Sequence, residues 1–154
     1  MDFVDIVNER DEVVGSRDIE AAHGAGLLHR SVHLLIMNSR GEVCLRKRPP
    51  KSKRYAGFWS LFGAHVLSGQ SYDEAAKNHC RKLGVSSPPE KIAVFGVKDG
   101  VENEVTALYL VRTGEKPAEG NFFSVNEAKL VLKREKTTPY VRLALDELKK
   151  QKIL

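Results

Sequence analysis

An α/β/α sandwich built on a mixed β-sheet is the fold that this 154-residue sequence predicts, as one domain over 1–154. Two observations lead there. Residues 55–85, YAGFWSLFGAHVLSGQSYDEAAKNHCRKLGV, read as a short strand, a glycine-interrupted loop and an amphipathic helix. Elsewhere, apolar runs of strand length and further helical segments mix without a strict βαβ alternation, so the sheet is not wholly parallel.

The elements follow in order. Residues 3–7 alternate as a strand, and 8–11 turn into 12–15. A short helical segment over 17–23 ends at Gly24 and Gly26. The run 32–37, VHLLIM, is almost continuously apolar and is expected to be buried on both faces. A turn at 38–41 leads to a partner strand over 42–48, and the two strands read as a hairpin. Pro49 and Pro50 end that strand and open a basic loop reaching Ala56 and Gly57.

Phe58, Trp59, Leu61 and Phe62 are too apolar for a solvated loop, so the chain enters a core there. Gly63 and Gly69 allow a tight turn or a close approach to a ligand. Ser71 with Glu74 is a capping box, and the helix runs on through Ala75, Ala76 and Cys80 to Leu83, with Gly84 as its stop. Residues 86–89 connect to a strand pair over 92–97 and 104–112, and 114–120 read as a polar loop. A helix over 126–134 is capped by Ser124 or Asn126, and a last helix spans 139–150 with Pro139 near its start.

Composition narrows the function classes. With 42% hydrophobic and 29% charged residues the chain is an ordinary globular protein rather than a disordered one. No apolar run approaches the ~20 residues of a membrane span, and with acids early and no apolar h-region in the first fifteen residues no signal peptide is expected. Cys44 and Cys80 suggest buried small hydrophobes rather than a disulfide framework, so a reducing, cytoplasmic setting is expected. The net charge of +5 suits an anionic ligand. No base-stacking motif interleaves the basic residues, so no nucleic-acid partner is expected. Lys149, Lys150 and Lys152 lie at a helix C-terminus, where the dipole alone accounts for them.

A strand, a glycine-rich loop and a helix in that order can hold a diphosphate. The stretch resembles the Nudix box, G-x5-E-x7-R-E-u-x-E-E-x-G-u, where u is aliphatic. Gly69-Gln70-Ser71, Asp73-Glu74-Ala75-Ala76 and Leu83-Gly84-Val85 follow the frame. The first box glutamate falls on Gln70, and the R-E-u-x-E-E segment on Lys77-Asn78-His79-Cys80-Arg81-Lys82, one residue short of the usual spacing to Gly84. That half of the helix carries no carboxylate, and its cationic groups repel a metal ion and attract phosphate. The frame is kept without the usual metal ligands.

The similarity is greatest to the isopentenyl-diphosphate isomerase-like branch, through Gly26-Leu27-Leu28-His29-Arg30, Arg46-x-Arg48, Gly57-x-Trp59, Ala64-His65-Val66 and Thr138-Pro139-Tyr140. The resemblance implies a divalent metal (Mg²⁺, Mn²⁺ or Zn²⁺) held by His23, His29, His65, Glu102 and Glu104, with Glu104 also the catalytic acid. Spacing adds that Glu102 and Glu104, two apart at a strand start, can share a face. His29 and Glu104 can equally be scaffold, and His33 reads as a strand residue with a satisfied ring.

The same resemblance implies diphosphate contacts from Arg46, Arg48, Lys51 and Lys53 in the basic loop, and the box helix offers Arg81 and Lys82 for the same task. Trp59 and Tyr140 are core residues or an aromatic wall for an isoprenoid tail or nucleobase. The isomerases use a cysteine where Gly63 stands, so ordinary isomerase chemistry is not expected. Three functions remain open for this monomer or homodimer: hydrolysis of a small diphosphate substrate (a nucleoside diphosphate derivative or a prenyl diphosphate), weak or altered because the box glutamates are missing; altered isomerisation; and metal-free diphosphate binding.

Overall fold

The computed structural model describes residues 2–153. Its elements are β1 (Phe3–Val7), β2 (Val13–Asp18), α1 (Ile19–Gly24), β3 (His29–Met37), β4 (Val43–Lys47), β5 (Trp59–Ser60), β6 (Phe62–His65), α2 (Tyr72–Lys82), β7 (Glu90–Lys98), β8 (Asn103–Arg112), β9 (Asn121–Phe123), α3 (Val125–Arg134) and α4 (Pro139–Lys150). The architecture is α/β with a mixed sheet, as expected.

Strand β3 is the axis. It pairs in parallel with β8 along nine positions, from His29↔Glu104 to Met37↔Arg112. On its other edge it pairs antiparallel with β6, from Ser31↔His65 to Leu34↔Phe62. Its run of seven consecutive buried residues, Ser31 to Met37, is explained by helices on both faces. Val32, Leu34 and Ile36 pack with Ala75, Ala76 and Cys80 of α2. Leu35 and Met37 pack on the opposite face with Val141, Ala144, Leu145 and Leu148 of α4.

The expected hairpin between the apolar run and its partner strand is reduced to one pair, Met37↔Val43. Because β6 takes the edge of β3 from Ser31 to Leu34, β4 diverges and pairs instead with β5 and β9. Arg17 and Asp18 end β2 rather than starting a helix, and Asp18 caps α1 by accepting the Ala21 N–H. Strand β9, three residues long after the polar loop, has too short a pattern to be read locally. The two longer caps form as the residue types dictate: Ser71 with Glu74 on α2, and Ser124 with Glu127 on α3.

Gly120 closes the turn into β9 at φ +95°, and a Cβ there would lie 2.9 Å from Cys44 Sγ and Phe62 Cζ and 3.1 Å from the Leu45 carbonyl. Gly100 shares the positive φ, +87°, but has open space around it. Gly120→Ala is therefore expected to lose about 2–4 kcal/mol of stability, from backbone strain plus overpacking, and Gly100→Ala about 1 kcal/mol. Denaturant unfolding of the two variants checks the order; equal losses would show that the contacts around Gly120 relax freely.

Candidate metal centre

The register of β3 builds the site. His29 faces Glu104 on β8, and Ser31 faces His65 on β6, so the starts of two parallel strands meet the end of an antiparallel one. Glu102 precedes β8 by one residue, and α1 brings His23 from above. The ligand atoms of His23, His29 and His65 lie within 4.8 Å of one another, as do those of His29, Glu102 and Glu104. The five residues that the resemblance implied as ligands are thus brought together.

Their hydrogen bonding leaves donor atoms turned inward. His29 Nδ1 lies 2.8 Å from the Leu27 carbonyl, which can only accept, so the ring proton is assigned to Nδ1. The lone pair of His29 Nε2 then faces Glu104 Oε2 at 3.7 Å, and Nε2 is buried with no hydrogen-bond partner. Glu102 Oε2 is likewise buried and unpartnered, 3.6 Å from His23 Nδ1. His23 Nε2 and His65 Nε2 approach to 2.9 Å. Converging lone pairs and carboxylates in a buried space need a proton or a cation among them. The donor set fits a divalent cation, and imidazole with carboxylate suits Zn²⁺ or Mn²⁺ better than Mg²⁺. The Leu27 carbonyl is the kind of outer partner that orients a ligating imidazole.

Electrostatics fit the same picture. Burial pushes the Glu102 carboxyl up to about 7, reinforced by Glu104 and opposed by Arg54. Burial also raises Glu104, against the hydrogen bond from the Tyr140 hydroxyl. His23 is pushed down to about 4 by burial, then by Arg54 and His29. His65 falls to about 3 through burial, then His23 and His29. Near neutral pH both of these rings are neutral, the form in which imidazole binds a metal.

A cavity of about 130 Å³ adjoins Glu102, Glu104 and His65 and is lined also by His33, Arg48, Arg54, Tyr55, Gly63 and Tyr140. Of the four basic residues implied as diphosphate contacts on this stretch, Arg48 lines it. Arg46 turns aside to Glu119 at 3.1 Å, and its Nε is buried and unpartnered. Lys51 and Lys53 stand outside the cavity on the loop after Pro50, with Lys53 paired to Glu20 at 3.3 Å. Arg54, not singled out from the sequence, places Nε 3.0 Å from Glu102 Oε1. Its signal was present, since it ends the same basic run.

Trp59 packs edge-on against Phe123 at 5.5 Å in the core beside α4 and does not line the cavity, whereas Tyr140 does. Lys82 lines a second cleft, about 330 Å³, with Gln70, Asn78 and His79. Ala64 and His65 line both, so the two spaces adjoin. Arg81 is exposed and lines neither space, but donates to Oδ1 of the cleft residue Asn78 at 3.1 Å. The acids of α2 are committed elsewhere: Asp73 accepts from Tyr109, and Glu74 completes the cap. Cys44 and Cys80 are buried free thiols in the core.

No family model matches the chain. It is 32% identical to the isopentenyl-diphosphate Delta-isomerase of Escherichia coli O1:K1 over 123 residues, covering 73% of this chain and 67% of the isomerase. It is 27% identical to an uncharacterised Nudix hydrolase of Pseudomonas aeruginosa over 146 residues, covering 92% and 80%. The chain belongs to the Nudix superfamily. A solved structure from Deinococcus radiodurans, 22% identical, superposes with a TM-score of 0.79 over 94% of this chain and 97% of that one, which shows the shared fold. Among the described residues, no helix is long and apolar enough to cross a membrane.

The buried carboxyl of Glu102 has a stability consequence. Its folded pKa, about 7, stands above the ordinary 4.5. Its contribution is therefore full below about 4.5 and is lost as pH rises through about 7. With EDTA present, Glu102→Gln is expected to flatten the decline in melting temperature between pH 5 and 8, by on the order of 1 kcal/mol or roughly 2–4 °C. Parallel wild-type and variant curves would show that Glu102 ionises freely in the folded protein.

Proposed function

We propose that this Nudix protein is a metal-dependent hydrolase of a small substrate containing a diphosphate linkage, either a nucleoside diphosphate derivative or a prenyl diphosphate. The observation that carries the reading is the convergence of His23, His29, His65, Glu102 and Glu104, with His29 Nε2 and Glu102 Oε2 buried and unpartnered. These five side chains would hold the divalent cation. When bound, the cation supplies Lewis-acid activation of water and of a phosphoryl oxygen.

The chain's own groups divide the remaining work. Arg48 and Arg54 line the cavity as donors for phosphate oxygens. Lys82 in the adjoining cleft can take the far phosphate, because the two spaces meet at Ala64 and His65. Glu104, with its carboxyl raised by burial and fixed by Tyr140, can hold and return a proton. The small cavity admits the reacting end of the substrate and leaves the organic part outside it.

Isomerisation is disfavoured because Gly63 offers no side chain for proton transfer. A second reading, a diphosphate-binding module without chemistry, is favoured by one observation: the α2 positions facing the cleft are Ala75, Asn78, His79 and Lys82, none of them an anionic ligand.

Two experiments test these readings. Phosphate release from a panel of nucleoside and prenyl diphosphates, with Mg²⁺, Mn²⁺, Zn²⁺ or no metal, should show metal-dependent turnover that Glu104→Gln lowers by at least ~10²-fold. Binding without turnover anywhere in the panel would establish the binding module, and allylic product from isopentenyl diphosphate would establish an isomerase. Separately, Zn²⁺ or Mn²⁺ should raise the melting temperature of wild type, reaching about 2.7 kcal/mol of stabilisation at a hundredfold excess over Kd. His29→Gln should lose that rise; its persistence would place the metal elsewhere.

A further inference from the structure

One cavity residue has no part in this scheme. His33, on β3, is 6% exposed, and its ring stacks on Tyr140 with centroids 3.6 Å apart and planes 17° from parallel. Its Nδ1 lies 2.7 Å from Thr106 Oγ1 on β8. That contact is the only side-chain hydrogen bond of either group among the described residues. The Thr106 hydroxyl, 1% exposed, must place its hydrogen on an acceptor, and His33 Nδ1 is the one within reach. The proton of the neutral ring is therefore assigned to Nε2.

The position of Nε2 is set by a missing side chain. A Cβ on Gly63 would fall 2.6 Å from His33 Nε2 and 2.9 Å from Cδ2, so the ring occupies the space that any other residue at 63 would fill. His33 and Gly63 both line the cavity, beside Glu104 and Arg48.

We infer that His33 presents Nε2–H to the cavity as a fixed donor for an anionic oxygen of the substrate, and that Thr106 is the positioning residue that selects this tautomer. The inference rests on the proposed diphosphate reading for its ligand. A donor held by a stacked ring and a buried hydroxyl is preorganised, so it needs no rearrangement when charge arrives. Burial holds the ring neutral, with its pKa pushed down to about 3, so the donor is a neutral imidazole rather than a second cation beside Arg48.

Nitrogen-resolved NMR of the imidazoles in the unliganded protein at pH 7 should find the His33 proton on Nε2; a proton on Nδ1 would overturn the inference with no ligand involved. Calorimetric titration with inorganic diphosphate in Mg²⁺ then tests the contact. His33→Phe, which keeps the stacked ring, should weaken binding about tenfold or more, in line with a lost hydrogen bond to a charged group. The Hε2 resonance of wild type should move downfield on addition of diphosphate. Thr106→Val should mix the tautomers and weaken binding less.

Wild-type binding that His33→Phe leaves unchanged would overturn this inference and leave the proposed function standing. No binding of diphosphate by wild type, with or without metal, would sink the proposed function and this inference with it.

Discussion

The parallel pairing of β3 with β8 is the constraint on which the rest of the structure depends. Its nine-position register decides at one stroke which residues meet at each end. At one end Met37 and Arg112 lead into loops and the divergence of β4. At the other, His29 is placed against Glu104, and the period-2 alternation carries Ser31 and His33 onto the same face. A slip of one residue would turn these polar groups into the packing of α2 and put Val32 into the cavity. The pairing is anchored far from the site, by the apolar residues of β3 and β8 packed under helices on both faces. Core burial thus supplies the precision of a polar cluster that would not assemble by itself.

That cluster is first of all a problem of charge. Two carboxylates and three imidazoles share a space that burial makes hostile to like charge. The protein distributes the conflict: Arg54 partly compensates Glu102, the Tyr140 hydroxyl serves Glu104, and His23 and His65 remain neutral. What is left over is a set of inward lone pairs, on His29 Nε2 above all. Compensation by one arginine and one hydroxyl steadies the cluster without saturating it. On the proposed reading, this incompleteness is what distinguishes the cluster from an ion-pair network that merely joins strands.

How much of this was legible in sequence depended on whether the cause was local. The box helix was, because Ser71, Glu74 and Gly84 define its ends and the spacing of Ala75, Ala76 and Cys80 defines its buried side. So was the burial of VHLLIM, since a continuous apolar run needs cover on both faces. The course of β4 was not, because it is set by β6 arriving at the edge of β3 from further along the chain. The five clustered side chains span positions 23 to 104, and no spacing argument joins them. They could be named together only through resemblance to a family. Arg54 was hidden by company: within a run of cations, only the course of the loop shows which one turns inward.

The substitutions on α2 and the cluster at the β3–β8 end belong to one argument. A helix whose cleft-facing side carries Asn78, His79 and Lys82 presents hydrogen-bond donors and positive charge to an incoming phosphate. A cation beside Lys82 would be repelled, so this side of the cleft suits the anion alone. The carboxylates and imidazoles lie across His65, which with Ala64 is common to both spaces. On the proposed reading, cation and anion grips are separated into adjoining compartments, where in the box frame a single helix face would hold both through the metal. His65 then becomes the hinge of the arrangement, a metal-type ligand on one side and part of the wall of the phosphate cleft on the other.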